Sequence, residues 1–291
     1  MPANQAILPS FGALALAVLL LWAPPIRGRR DWTWCTGLAL VCLAGIATDS
    51  LDWRAPLFVG GFAALAWQAR EAQQAWLRTA LLVPTGLCAF LFALHRVPGF
   101  FNPVLAEGIV FSSGAPALTL RLNYDTVVAG IVLMGVFCRP LRTAEEWLAM
   151  LRRVWPVLLA TLAVVLGTGL ALGYVRPDLK WTPYSAAFLA MNLLFTCVTE
   201  EAFFRGLLLE RMAARMQRWR AGAAPALVLS AVLFGLAHAR GGAPLVLLAT
   251  VAGLFYGWAY LRSRHIEGAI LTHFALNAVH FLALSYPALA R

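Results

Sequence analysis

Long apolar runs separated by short charged breaks organise this chain. They occupy residues 7–26, 32–48, 55–69, 79–96, 125–138, 154–175, 185–209, 222–239, 242–261 and 267–288. A helix needs about 20 apolar residues to cross a bilayer, and several runs are near that length. Those at 55–69 and 125–138 are short, so each is either re-entrant or extended by its flanks. The pattern predicts an all-α polytopic transmembrane bundle of eight to ten membrane helices. Two stretches break it. Residues 139–153, RPLRTAEEWLAMLRR, interleave charge with Leu141, Trp147, Leu148 and Leu151, which reads as an amphipathic helix lying on the membrane interface. Residues 97–124 hold Pro98, Gly99, Pro103, Gly114 and Pro116 and read as an external loop or a partly re-entrant segment.

Composition supports the same class. Hydrophobic residues make up 61% of the 291 and charged residues 12%, about half the charge of a soluble domain. Mean hydropathy is +0.76. The net charge of +10 is an orientation signal. If all ten runs cross with the N-terminus outside, 16 of the 23 basic residues fall on the cytoplasmic side, Arg27, Arg29, Arg30, Arg218 and Arg220 among them. That is the bias expected of cytoplasmic segments. No basic stretch interleaves with stacking aromatics, as single-strand binding needs, so no nucleic-acid partner is expected. Residues 1–20 contain no Lys or Arg, and a signal peptide's basic leader is missing from them; the first run is read as a membrane helix. The five cysteines form no CxxC pair and read as small buried hydrophobes. Arginines outnumber lysines 22 to 1, which points to a GC-rich, bacterial genome and so to a bacterial cytoplasmic membrane.

Polar chemistry is concentrated late. Residues 1–184 are N-terminal membrane helices with the interfacial helix near 139–153. Residues 185–291 place Glu200, Glu201, Arg205, His238, His273 and Asn277 within or at the ends of apolar helices. An ionisable group there costs at least about 2.5–3.5 kcal/mol by insertion scales and is a functional candidate by default. Glu201 and Arg205 are four apart and can pair on one helical face. Glu200 is offset by about 100° and less compensated, as a general base needs. The bland alternative is a buried ion network joining helices. Glu145-Glu146 is a decoy pair, with Met150 where the arginine would stand. His238 closes Phe234-x-x-x-His238, and His273 and Asn277 share a helix face at i, i+4, where both can donate to a developing oxyanion. Each also has a bland reading, as a helix-end residue or an interhelical hydrogen bond. His95, His265 and His280 carry only the bland one.

Depth is consistent with one cluster. At 1.5 Å per residue, Glu200 lies about 16 Å from Arg211, His238 about 20 Å from Pro225, and Asn277 and His273 about 15 and 9 Å from Glu267. Three antiparallel helices thus carry polar groups to similar depths.

The order EExxxR, FxxxH, HxxxN, each on its own helix, resembles the CAAX protease and bacteriocin-processing family of glutamate-type intramembrane endopeptidases, over roughly residues 185–285. FFRG after the glutamates and EGAILTHFALN around the last motif are similar too. The resemblance implies a protease core in the C-terminal four helices. It implies that Glu200 and His238 activate water, that His273 and Asn277 hold the oxyanion, and that Glu201 and Arg205 brace the site. It implies no cofactor, and a membrane-associated, lipidated or leader-bearing protein or peptide as substrate. Two other readings stay open. One is a zinc protease with Glu200, His238 and His273 as ligands, although HExxH and a carboxylate behind either histidine are missing. The other is a non-proteolytic immunity or binding protein that uses the same residues to hold helices together. A transporter fits less well, since no inverted repeat is visible.

Overall fold

The apolar runs fold as helices in the computed structural model, which describes residues 3–26, 28, 31–216 and 222–290. Five residues of the orientation count, Arg27, Arg29, Arg30, Arg218 and Arg220, lie outside the described residues. The helices are α1 (Ala3–Leu19), α2 (Asp31–Ala47), α3 (Arg54–Glu71), α4 (Ala75–Ala93), α5 (Tyr124–Phe137), α6 (Ala144–Ala171), α7 (Ser185–Met216), α8 (Ala224–Ala237), α9 (Gly242–Ser263) and α10 (Ile266–Ala283). Among the described residues, five helices are long and apolar enough to cross a membrane; they end at Ala93, Ala171, Met216, Ser263 and Ala283. Four shorter apolar helices accompany them, and the expectation of eight to ten crossings rests on counting these as well.

Two expectations change in detail. Residues 144–153 of the polar stretch and residues 154–171 of the run after it form one helix, α6. Its start is capped reciprocally, with Thr143 Oγ1 accepting from Glu146 N–H at 3.1 Å and Glu146 Oε2 accepting from Thr143 N–H at 3.1 Å. The decoy carboxylate Glu146 is therefore a helix cap. Within 97–124, residues Val104–Ile109 (β1) and Leu118–Arg121 (β2) pair as a two-stranded sheet. The prolines and glycines around these strands suggested an external loop or a partly re-entrant segment.

The chain folds as two compact units. The first comprises residues 1–107, 119–139 and 194–203; the second comprises 108–118, 140–193 and 204–291. In the first, α5 is apolar on every side and every residue from Val127 to Val136 is buried, as a helix inside a core must be. Its glycines admit close neighbours. A Cβ on Gly130 would lie 3.0 Å from Thr199 Cα, and one on Gly135 would meet the Trp34 ring. Asp125, 1% exposed, opens α5. It faces His95 Nδ1 at 2.8 Å and accepts from Asn102 Nδ2 at 3.1 Å.

In the second unit, α8 and α9 form a close antiparallel pair. Gly242, at φ +82°, reverses the chain between them, a conformation that costs glycine little. Small residues line the contact: a Cβ on Gly253 would lie 3.1 Å from Ala231 Cα, and one on Gly235 would lie 2.8 Å from the Val246 carbonyl oxygen. Small residues at helix interfaces let backbones approach this closely. At the ends of α6 and α10, backbone hydrogen bonds join three distant segments: Asp178 N–H to Ala283 O at 2.8 Å, Ser285 N–H to Arg176 O at 2.8 Å, and Ala290 N–H to Gly114 O at 2.8 Å.

Candidate active site

The helix that carries the two glutamates is not a uniform α-helix. Residues Asn192–Cys197 and Ala202–Leu209 form wide turns with i→i+5 bonding, and Val198–Glu201 is an α-helical turn between them. Such turns are rare and recur at functional sites.

In the first unit, this turn is pressed on α5 through Thr199 and Gly130. Glu201 is fully buried, at 0% exposure. Glu200 is partly exposed, but its Oε2 is buried and, among the described residues, makes no hydrogen bond. A buried oxygen of that kind is costly unless it has work to do.

In the second unit, the Phe234 ring is a hub. His238 lies 4.8 Å from it, His273 5.7 Å, Tyr256 5.8 Å and Phe204 5.0 Å, centre to centre, and the Arg205 guanidinium lies 4.8 Å from it. Arg205, 0% exposed, also faces Tyr256 at 5.3 Å and donates to Gly253 O at 2.9 Å. A planar guanidinium suits such a site, because it stacks on rings and donates from its edge. His273 is stacked on Tyr256 at 4.5 Å, which fixes its ring plane.

His238 ends α8. Its Nδ1 lies 2.8 Å from Phe234 O, one turn back. A carbonyl only accepts, so Nδ1 carries a proton; in the neutral ring the lone pair is then on Nε2, the tautomer a base or acceptor needs. Asn277 stands one turn beyond His273 on α10, and its Nδ2 donates to Asn192 Oδ1 at 3.2 Å. Arg205, His238 and His273 are thus gathered around one ring, with Asn277 on the same helix as His273. Glu200 and Glu201 belong to the first unit.

Sequence reasoning passed over two neighbours of these residues. Asn192 is an amide within the apolar run AMNLLF, a signal of the same kind as the histidines. Tyr256 read as ordinary apolar text in α9. Among the described residues no group of three or more His, Cys, Asp or Glu could hold a metal ion.

Apolar helices with polar side chains among them define an integral membrane protein. Residues 181–279 match the family described as type II CAAX prenyl endopeptidase Rce1-like. The match takes in Glu200, Glu201, Arg205, His238, His273 and Asn277, and leaves residues 1–180 and 280–291 outside it. It agrees with the CAAX protease resemblance of the three motifs and implies a protease-type hydrolase. Neither the curated proteins nor the solved structures include a match.

Proposed function

We propose that this protein is an intramembrane endopeptidase that hydrolyses a peptide bond of a membrane-associated, lipidated or leader-bearing substrate. The observation that carries the reading is the family match over residues 181–279, which spans all three polar motifs in order. Glu200, helped by His238 Nε2, removes a proton from water as the oxygen attacks the scissile carbonyl. The tetrahedral oxyanion accepts hydrogen bonds from His273 and Asn277. Collapse breaks the C–N bond, and the abstracted proton passes to the leaving amine. Glu201 and Arg205 hold the wall of the site. Removing one oxyanion donor costs about 10²–10³ in kcat, and the base contributes about 10²–10⁴.

The bilayer and a protein or peptide substrate are the partners in this reading, and the chain sits in a bacterial cytoplasmic membrane. Prenylated CAAX proteins are not expected there, so the family description does not carry over as the activity. The catalytic core occupies residues 185–291.

Glu200→Gln tests the reading. It should keep the fold, seen as an unchanged melting temperature, and lower cleavage at least 10²-fold. Membrane-protein N-termini compared between cells with wild-type protein and with Glu200→Gln should show termini that depend on Glu200. Identical sets would sink the protease reading in favour of a binding role. Activity that survives strong chelation supports the cofactor-free mechanism. Loss on chelation with recovery on added zinc would assign Glu200, His238 and His273 as ligands instead.

A further inference from the structure

We propose that Asn192 is a positioning residue for the oxyanion donor Asn277, an inference that rests on the function proposed above. An Asn side chain presents an oxygen and an NH2 group of nearly equal size, and rotation by 180° exchanges them. A donor to an oxyanion is useful only in one orientation; in the other, its own carbonyl oxygen repels the developing charge. Asn192 makes the choice. Its Oδ1 lies 3.2 Å from Asn277 Nδ2, and with Asn192 turned this way, exchanging the Asn277 groups alone would set oxygen against oxygen. One Nδ2 hydrogen is committed to Asn192. The second, about 120° away in the amide plane, is left to bond the oxyanion.

The surroundings fix this pair. Asn192 is 8% exposed, and an amide buried in an apolar helix costs free energy unless it is hydrogen-bonded. One turn before Asn192 on α7 and one turn after Asn277 on α10, Phe188 and Phe281 stack at 4.1 Å with their planes 18° apart, and Phe281 is 0% exposed. Phe111 and Tyr286 close over the stack edge-on, at 5.0 and 5.3 Å from Phe281. The helices therefore meet twice along one line, once through rings that set their register and once through amides that set an orientation.

The test uses the purified full-length protein with a peptide whose cleavage requires Glu200. Asn192→Ala should lower kcat about 10–100-fold, the range for losing the partner that orients a functional ligand, with KM and melting temperature little changed. In an Asn277→Ala background the same substitution should cost nothing further, because the donor it orients is gone. If Asn192→Ala does not fold, Asn192→Ser, whose hydroxyl is too short to reach Asn277, is run through the same cycle. An equal loss in both backgrounds, or a raised KM with unchanged kcat, overturns the proposal and makes Asn192 a structural residue. Wild-type kcat in Asn277→Ala removes the oxyanion role and this proposal with it, while leaving Glu200-dependent proteolysis standing. Cleavage that persists in Glu200→Gln fails the protease reading itself.

Discussion

At the scale of single residues, the costly groups are those with the most specific surroundings. Among the described residues, Arg205 is the largest fully buried side chain. Its charge faces the rings of Phe234, Tyr256 and Phe204, and its edge donates to Gly253 O. A lysine has neither the plane nor the fork to do both. Arg205→Lys should therefore destabilise the protein by about 1–3 kcal/mol, the scale of a desolvated cation–π contact together with a lost charge-assisted hydrogen bond. Thermal unfolding in detergent would check this, and an unchanged melting temperature would show that the rings contribute little. Arg205 was legible in the sequence because an arginine inside an apolar helix is rare. Its aromatic setting was not, because Phe234 and Tyr256 look like any other apolar positions until helices from distant parts of the chain bring them together.

At the scale of elements, α8 and α9 approach as closely as their small residues allow. His238 depends on that approach, since it terminates α8 immediately after the contact. A Cβ at Gly235 would overlap Thr250 Oγ1 and come within 2.8 Å of the Val246 carbonyl oxygen. Backbone cannot yield as a flexible side chain can. Gly235→Ala should cost about 1–3 kcal/mol by overpacking and, by shifting His238, lower kcat more than it raises KM; unfolding curves and steady-state kinetics read the two effects separately. The run 222–239 was readable as a helix. That its glycine is an interface residue was not, because periodicity marks apolar faces and says nothing of which neighbour each one meets. The wide turns in α7 were equally hidden, since no composition distinguishes AFFRGLLL from α-helical text.

At the scale of the whole molecule, the second unit is closed by segments far apart in the chain, and one carboxylate among them titrates usefully. The Ser112 hydroxyl, and after it Lys180 and Arg176, hold the Asp178 carboxyl below its ordinary value, against an opposing desolvation effect; Lys180 Nζ stands 3.2 Å from it. A lowered folded-state value means that the stabilisation is present above the unfolded pKa of about 3.9 and is lost as pH falls through the lowered one. Melting temperature should accordingly drop on acidification below about pH 4. Asp178→Asn should start from a lower melting temperature at neutral pH and lose the Asp178 part of that drop. A wild-type curve that Asp178→Asn does not alter would place the acid sensitivity elsewhere.

The sequence by itself determined the class of the molecule. A backbone in lipid must satisfy its own hydrogen bonds, so long apolar runs fold as helices, and carboxylates, histidines and an arginine within such runs announce themselves by their cost. Their order along the chain also determined the family resemblance. Only the tertiary structure decided that Phe234 is the ring around which Arg205, His238 and His273 gather, that Asn192 answers Asn277, that β1 and β2 pair, and that residues near 114, 176 and 285 close one end of the second unit. Each of these joins residues from separate elements. Local pattern reports how strongly a residue avoids water, but its partner is set by packing across the fold.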